Sequence, residues 1–283
     1  YAGREPATGP GPEGYHGTMY PRGVQAFVSV LGMVGAFPTR ETPRERIASL
    51  IRSLHPVECG RRLMRLGGAG DGGYLVPDDL DGVVTCMSGG VGRDSDFERD
   101  CADRGMEVFL ADGSVESPAC SHPGFRFVRR FVGAVDDAET TTLRSWVASC
   151  PGKAAGDLLL KLDIEGAEYE TLLAAPETLL ARCRIVVIEF HQLDHLWSAP
   201  FFRFAARGFA KLLSTHACVH AHPNNHDGAL RHRGFVIPAT MEFTFLRRDR
   251  LPAEPAWRSE FPHPLDRDNS SRGPLPLPRC WYR

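Results

Sequence analysis

The chain has 283 residues, enough to bury a sizeable core, and suits one large domain with extensions better than two equal domains. Lys plus Arg number 33 against 35 Asp plus Glu, a net charge of -2, so the broad basic field of a general nucleic-acid binder is absent and nucleic acid is not an expected partner. The longest nearly uncharged stretch, Val24 to Phe37, is broken by Gly32 and Gly35 and falls short of the roughly 20 apolar residues that span a bilayer, so no membrane span is expected in the given chain.

The sequence opens on Tyr1 rather than Met and runs through a Gly- and Pro-rich segment over residues 1–23. It reads as the leader or stem of a trimmed protein, and residues 1–42 are assigned to it. From Pro43 an amphipathic helix carries Ile47, Leu50, Ile51 and Leu54 on one face and ends before Pro56. Residues 43–250 are read as one domain, in which short apolar runs alternate with helical stretches, the signature of a parallel sheet covered on both faces. Its strands are expected at Val83–Met87, Glu107–Ala111, Phe125–Val132, Leu158–Leu162, Ile185–Phe190 and Ala217–Ala221, with Met241–Leu246 as an antiparallel last strand. Helices are expected over Ser95–Arg104, Thr140–Ser149, from about Ala167, and over Phe201–Leu213. Residues 251–283 form a Pro-rich extension expected to wrap the surface. Eight cysteines show no CxxC pair or other zinc spacing. Disulfides would fit a secretory-pathway lumen, the compartment favoured over the cytoplasm, while Cys86 inside an apolar strand reads as a small buried hydrophobe.

Chemistry gathers where these strands end. After the first strand, Ser88-Gly89-Gly90-Val91-Gly92 lets the backbone turn sharply and a ligand approach closely, in the manner of a strand-to-helix nucleotide site. The second strand ends in Asp112, about 20 residues on, where an acid would accept hydrogen bonds from ribose hydroxyls. The turn does not complete a dinucleotide GxGxxG, and Asp94 and Asp96 would crowd a phosphate at the helix start; they equally suit plain helix capping. S-adenosylmethionine, which has no phosphate and carries a sulfonium, is compatible with such an acidic lining.

The fourth strand runs out in Lys161-Leu162-Asp163-Ile164-Glu165-Gly166-Ala167-Glu168, and alternation sets Lys161, Asp163 and Glu165 on a common side. Three charges after a buried strand are costly unless paired or functional. The next strand delivers Glu189 and His191 to the same edge. Asp163, Glu189 and His191 would suit Mg or Mn, or His191 would act as a general base beside a carboxylate; both roles stay open. His222, Asn224 and Asn225 crowd the turn after a later strand and suit a polyhydroxylated substrate, or simply make the turn. Glu242 either reaches this pocket or faces water from an edge strand.

With these residues set out, the chain resembles the FkbM-type methyltransferases, in the branch with a leading Gly70-Asp71-Gly72-Gly73-Tyr74 element. The resemblance spans roughly Leu63 to Arg248 and is most specific at Lys161 to Glu168, with Ser88 to Gly92, Ile188-Glu189-Phe190-His191 and His222 to Asn225 in support. It implies a class I, Rossmann-like doubly wound α/β sheet of seven strands, S-adenosylmethionine as cofactor, and O-methylation of a carbohydrate or glycosylated small molecule. It also implies that Gly90 and Gly92 shape the methionine side of the cofactor pocket and that Asp112 meets the ribose; Asp71, Tyr74, Ser88 and Asp136 complete the cofactor set. Ser88 departs from the acid usual in this motif. Related sugar methyltransferases point to Asp163 and Glu189 as Mg ligands, with His191 as the third. The catalytic set is Asp163, Glu189, His191 and Lys161; the substrate set is Glu165, His222, Asn224, Asn225 and Glu242. Two other functions are compatible with the residues. A noncatalytic glycan-binding protein would suit Ser88, and a metal-dependent hydrolase would use Asp163, Glu165 and Glu189 but leave the glycine turn and Asp112 without a purpose.

Overall fold

The computed structural model describes residues 22–32, 38–150 and 156–283, in two compact units, Tyr1–Arg40 and Glu41–Arg283. Most of the leader read over residues 1–23 lies outside the described residues. The first unit contributes one helix, α1 (Arg22–Gly32), on which Val24, Phe27 and Val30 are exposed. No helix among the described residues is long and apolar enough to cross a membrane.

The second unit starts with α2 (Arg44–Ser53), whose Ile47, Leu50 and Ile51 are buried as their spacing predicts. Two short antiparallel strands the sequence did not announce come next, β1 (Leu63–Leu66) and β2 (Tyr74–Pro77). The alternating core then runs β3 (Val83–Gly89), α3 (Asp96–Asp103), β4 (Glu107–Ala111) and β5 (Phe125–Val128). The run read as one strand to Val132 is broken. Arg130 N bonds back to the Val128 carbonyl, and the chain leaves the sheet to form β6 (Phe131–Gly133), paired instead with β7 (Thr140–Thr142). Thr142 caps α4 (Leu143–Ser149) by accepting from Ser145 N, so that helix starts three residues later than its apolar pattern. There follow β8 (Asp157–Leu162), α5 (Glu168–Ala174), α6 (Glu177–Leu180), β9 (Cys183–Phe190), α7 (Ala199–Leu213) and β10 (His216–Pro223). A small hairpin, β11 (Ala229–His232) and β12 (Phe235–Pro238), precedes the final strand, β13 (Met241–Arg247).

All seven strands expected of the central sheet are present, in the order β10-β13-β9-β8-β3-β4-β5, with β13 antiparallel to both neighbours and the other pairings parallel. This is a doubly wound, mostly parallel α/β sheet with the expected antiparallel last strand. Alternation divides its apolar side chains between two clusters: Met87, Leu160, Val186, Ile188 and Phe243 on one face, Cys86, Leu159, Ile185, Val187 and Leu246 on the other. On the second face the rows turn polar at the edge where the parallel strands end and the antiparallel β13 begins, where Ser88, Lys161, Glu189 and Glu242 are all buried. Register fixes part of that row, since Glu189 faces Glu242 across β9 and β13, and Glu242 faces His222 across β13 and β10.

The Pro-rich extension does more than wrap the surface. Trp281 is fully enclosed in the main cluster and donates from Nε1 to the Val236 carbonyl at 3.1 Å, and Leu277 is buried beside it. All eight cysteines are free, and Cys86 is the buried hydrophobe its strand position suggested.

Burial also sets an acid limit to stability. His216 is enclosed, with Nε2 at 2.7 Å from the Cys183 carbonyl, and burial pushes its pKa down to about 4. The folded chain holds a neutral imidazole that the unfolded chain protonates below about pH 6.5. This contribution is complete above pH 6.5 and is lost as the pH falls towards 4, by up to about 3 kcal/mol. His216→Gln is expected to flatten the fall in melting temperature between pH 7 and pH 4.5; an unaltered fall would assign it to other groups.

Candidate active site

Loop conformation builds the site before any side chain is placed. Gly90 takes φ +76°, a region costly for residues with a Cβ, and a Cβ there would lie 1.6 Å from the Asp163 carbonyl oxygen. The ends of β3 and β8 therefore meet backbone to backbone, with Asp163 N donating to the Gly89 carbonyl at 3.0 Å. Beyond this junction opens a cavity of about 570 Å³, lined by Gly90, Gly92, Glu98, Asp112, Lys161 and Asp163 among others. Asp112 holds its rim: Oδ2 accepts from Val91 N and Gly92 N, each at 2.9 Å, and Oδ1 from Ser114 N and Oγ. Burial alone would raise the Asp112 pKa, but these bonds outweigh it and hold the carboxyl below its ordinary value.

The far wall is a cluster of acids around one imidazole. Asp163 Oδ2 accepts from the buried Tyr74 hydroxyl at 3.1 Å, and its Oδ1 stands 4.0 Å from His191 Nε2. The same Nε2 lies 3.6 Å from Glu165 and 3.9 Å from Glu189. On its other side Nδ1 meets Glu168 Oε1 at 3.1 Å, and Glu168 also accepts from Ile164 N and Gly166 N. Glu168 thus ties the motif turn to the histidine ring. Burial would lower the His191 pKa, but Glu168, Asp163 and Glu165 raise it above 6.5. Burial raises Asp163, only partly offset by Lys161, His191 and Tyr74. Glu189 rises well above the usual range through burial and its neighbours Asp163 and Glu242. Burial carries Glu242 to about 7.

The predicted residues divide three ways. Asp71, Gly90, Gly92, Asp112, Lys161, Asp163 and Glu165 line the cavity; Tyr74 donates to Asp163, and His191 stands between Asp163 and Glu189, 4.0 Å and 3.9 Å from them. Ser88 is wholly buried and donates to Glu98 Oε1 at 2.5 Å, so its place in the cofactor set is one step removed. Asp136 stands off the cavity wall and spends its carboxylate on Thr142 and Ser145 at the start of α4. Asn224, His222 and Asn225 are enclosed. Asn224 donates to Glu189 Oε1 at 2.9 Å, His222 Nε2 meets the Arg267 carbonyl at 2.9 Å, and Asn225 binds the backbone of Ser270 and Arg272. For metal ligation, the atoms that come within 4.8 Å of one another are those of Asp163, Glu165 and His191, and separately of Asp71, Glu189 and Glu242. The expected trio is thereby split, because β9 turns Glu189 towards β13.

Residues to which the sequence assigns no role matter as much. Glu98 is legible there only as a helix-start polar residue, and Glu168 only as the last residue of the Lys161–Glu168 motif. The extension supplies Asp266, which accepts from His220 Nε2 at 2.9 Å, and Asn269, whose amide donates to both Glu242 and Asp71.

The chain is similar to known proteins in part of its length. A family model described as the methyltransferase FkbM domain matches residues 85–235, more than half of the chain. Among solved structures, the N-methyltransferase NodS from Bradyrhizobium japonicum aligns at 9% identity over 72% of this chain and 95% of its own, with a TM-score of 0.34. The 1,6-didemethyltoxoflavin-N1-methyltransferase of Burkholderia thailandensis, solved with 1,6-didemethyltoxoflavin and S-adenosylhomocysteine, aligns at 16% identity over 59% of this chain and 72% of its own, with a TM-score of 0.30. Likeness this distant says nothing of substrate. No curated protein matches the chain. The extent of the domain match is decisive: the chain belongs to the FkbM methyltransferase-domain family and is an S-adenosylmethionine-dependent methyltransferase.

Proposed function

We propose that the protein transfers the methyl group of S-adenosylmethionine to a hydroxyl of a carbohydrate or glycosylated small molecule. The observation that carries this reading is Asp163, which lines the cofactor cavity while the Tyr74 hydroxyl holds its Oδ2 and leaves Oδ1 without a hydrogen bond among the described residues, 4.0 Å from His191 Nε2. The acceptor oxygen attacks the methyl carbon, the carbon–sulfur bond breaks to leave S-adenosylhomocysteine, and the hydroxyl proton passes to Asp163. The sulfonium already activates the methyl, so the protein chiefly aligns the two centres in a dry site and takes the proton. Glu165, with its side chain 88% exposed, is the acid open to further hydroxyls of the acceptor.

A divalent cation fits these residues. Asp163, Glu165 and His191 bring two carboxylates and an imidazole nitrogen within 4.8 Å of one another, a donor set of the kind that holds Mg or Mn. When bound, Mg or Mn would supply Lewis acidity that lowers the pKa of the acceptor hydroxyl.

The test uses methyl-labelled S-adenosylmethionine and a panel of glycans, followed by mild alkali. Label that survives alkali on a hydroxyl-bearing product supports the proposal, because ethers resist base. Label released as methanol would identify a carboxylate acceptor, and label on an amine would identify N-methylation; either overturns it.

A further inference from the structure

Glu98 takes no part in the transfer step, yet it is only 1% exposed on the inner face of α3, with Cys101 and Ala102, and it lines the cavity beside Lys161. Carboxylates are seldom enclosed unless a cation answers them. Here the answer from the protein is incomplete. Ser88 Oγ donates one hydrogen bond to Glu98 Oε1, while Lys161 Nζ stands 3.8 Å from that oxygen and donates instead to the Gly90 carbonyl. Burial holds the Glu98 carboxyl above its ordinary value even against the pull of Lys161 and Ser88. The Lys161 ammonium, with three donors to place, is equally enclosed at the same wall.

S-adenosylmethionine ends in an amino acid whose ammonium and carboxylate sit on one carbon. We infer that Glu98 and Lys161 form the seat for that zwitterionic end, Glu98 receiving the α-ammonium and Lys161 the α-carboxylate. This rests on the cofactor assignment above and moves Lys161 from catalysis to cofactor binding. Other acids of the cavity are less suited: Asp112 is committed to Val91, Gly92 and Ser114, and Asp163 to Tyr74. The inference also gives Ser88 a role. Its hydroxyl orients a carboxylate carried ten residues further along, on the helix, instead of presenting one from the strand.

Calorimetry of the full chain with two ligands tests this: S-adenosylhomocysteine, and 5′-methylthioadenosine, which keeps the nucleoside and thioether but lacks the amino-acid end. Unaltered protein is expected to bind the first about 10- to 100-fold more tightly, the range for charge-assisted hydrogen bonds. Glu98→Gln, which keeps an acceptor for Ser88, and Lys161→Met should each erase about 10-fold or more of that preference while leaving methylthioadenosine affinity within about two-fold. An equal loss for both ligands would make the pair a structural support of the glycine turn and overturn the inference, as would undiminished homocysteine-end affinity. Unaltered protein that binds both ligands equally sinks the seat alone; unaltered protein that binds neither sinks the cofactor assignment with it.

Discussion

Asp163→Asn is expected to lower kcat by about 10²- to 10⁴-fold, the range for removing a positioned general base, with affinity for S-adenosylhomocysteine nearly unchanged. The amide keeps an oxygen for the Tyr74 hydroxyl, which now meets Asp163 Oδ2 at 3.1 Å, so the wall keeps its shape and loses only its capacity to take a proton. Single-turnover methyl transfer separates this from a binding defect. A rate within about five-fold of the unaltered enzyme would remove Asp163 from proton transfer. A matched loss of cofactor affinity would turn it into a wall of the cofactor pocket.

Gly90→Ala should act on the fold and the cofactor together. Its φ of +76° disfavours any residue with a Cβ, and the added methyl would fall on the Asp163 carbonyl, so the ends of β3 and β8 must part. Left-handed backbone and overpacking together cost about 3 kcal/mol or more, seen as a melting temperature lower by roughly 6–12 °C in a unit of this size. S-adenosylhomocysteine binding should vanish. Gly92→Ala is the control, because Gly92 also has a positive φ, +58°, but a methyl added there would meet nothing within 4 Å. Equal effects from the two substitutions would show that backbone conformation, not the close approach to Asp163, governs the turn.

Much of this was legible in the sequence for a plain reason. Central parallel strands are buried on both faces, so Leu158 to Leu160 and Ile185 to Ile188 read as unbroken apolar runs, and the charged residues Lys161, Asp163, Glu189 and His191 follow at their carboxyl ends. What escaped lacks such a pattern. Arg65 interrupts Leu63–Leu66, and a four-residue strand carries too few positions for periodicity to register. Phe125 to Val132 alternates Phe and Val with Arg, so Arg129 and Arg130, where the hydrogen bonding changes partner, read as outward-facing residues of one strand and not as its end. Glu98 looks like any polar residue of a helix start; only the helical repeat that buries Phe97, Cys101 and Ala102 carries it inward. Asp266 and Asn269 sit among prolines, where no repeat marks which residues turn towards His220 and Glu242.

The enclosure of Trp281 and the bonds from Asp266 and Asn269 bear on how the enzyme comes into being. Strands β3 to β8, with the cofactor turn, leave the ribosome well before residues 266–281, so a nascent chain can assemble its nucleotide cavity while the wall around Glu242 and His222 is still unmade. That wall is therefore completed by residues that follow the matched domain in the chain, and a fragment trimmed to residues 85–235 would lack Glu242, Asp266 and Asn269.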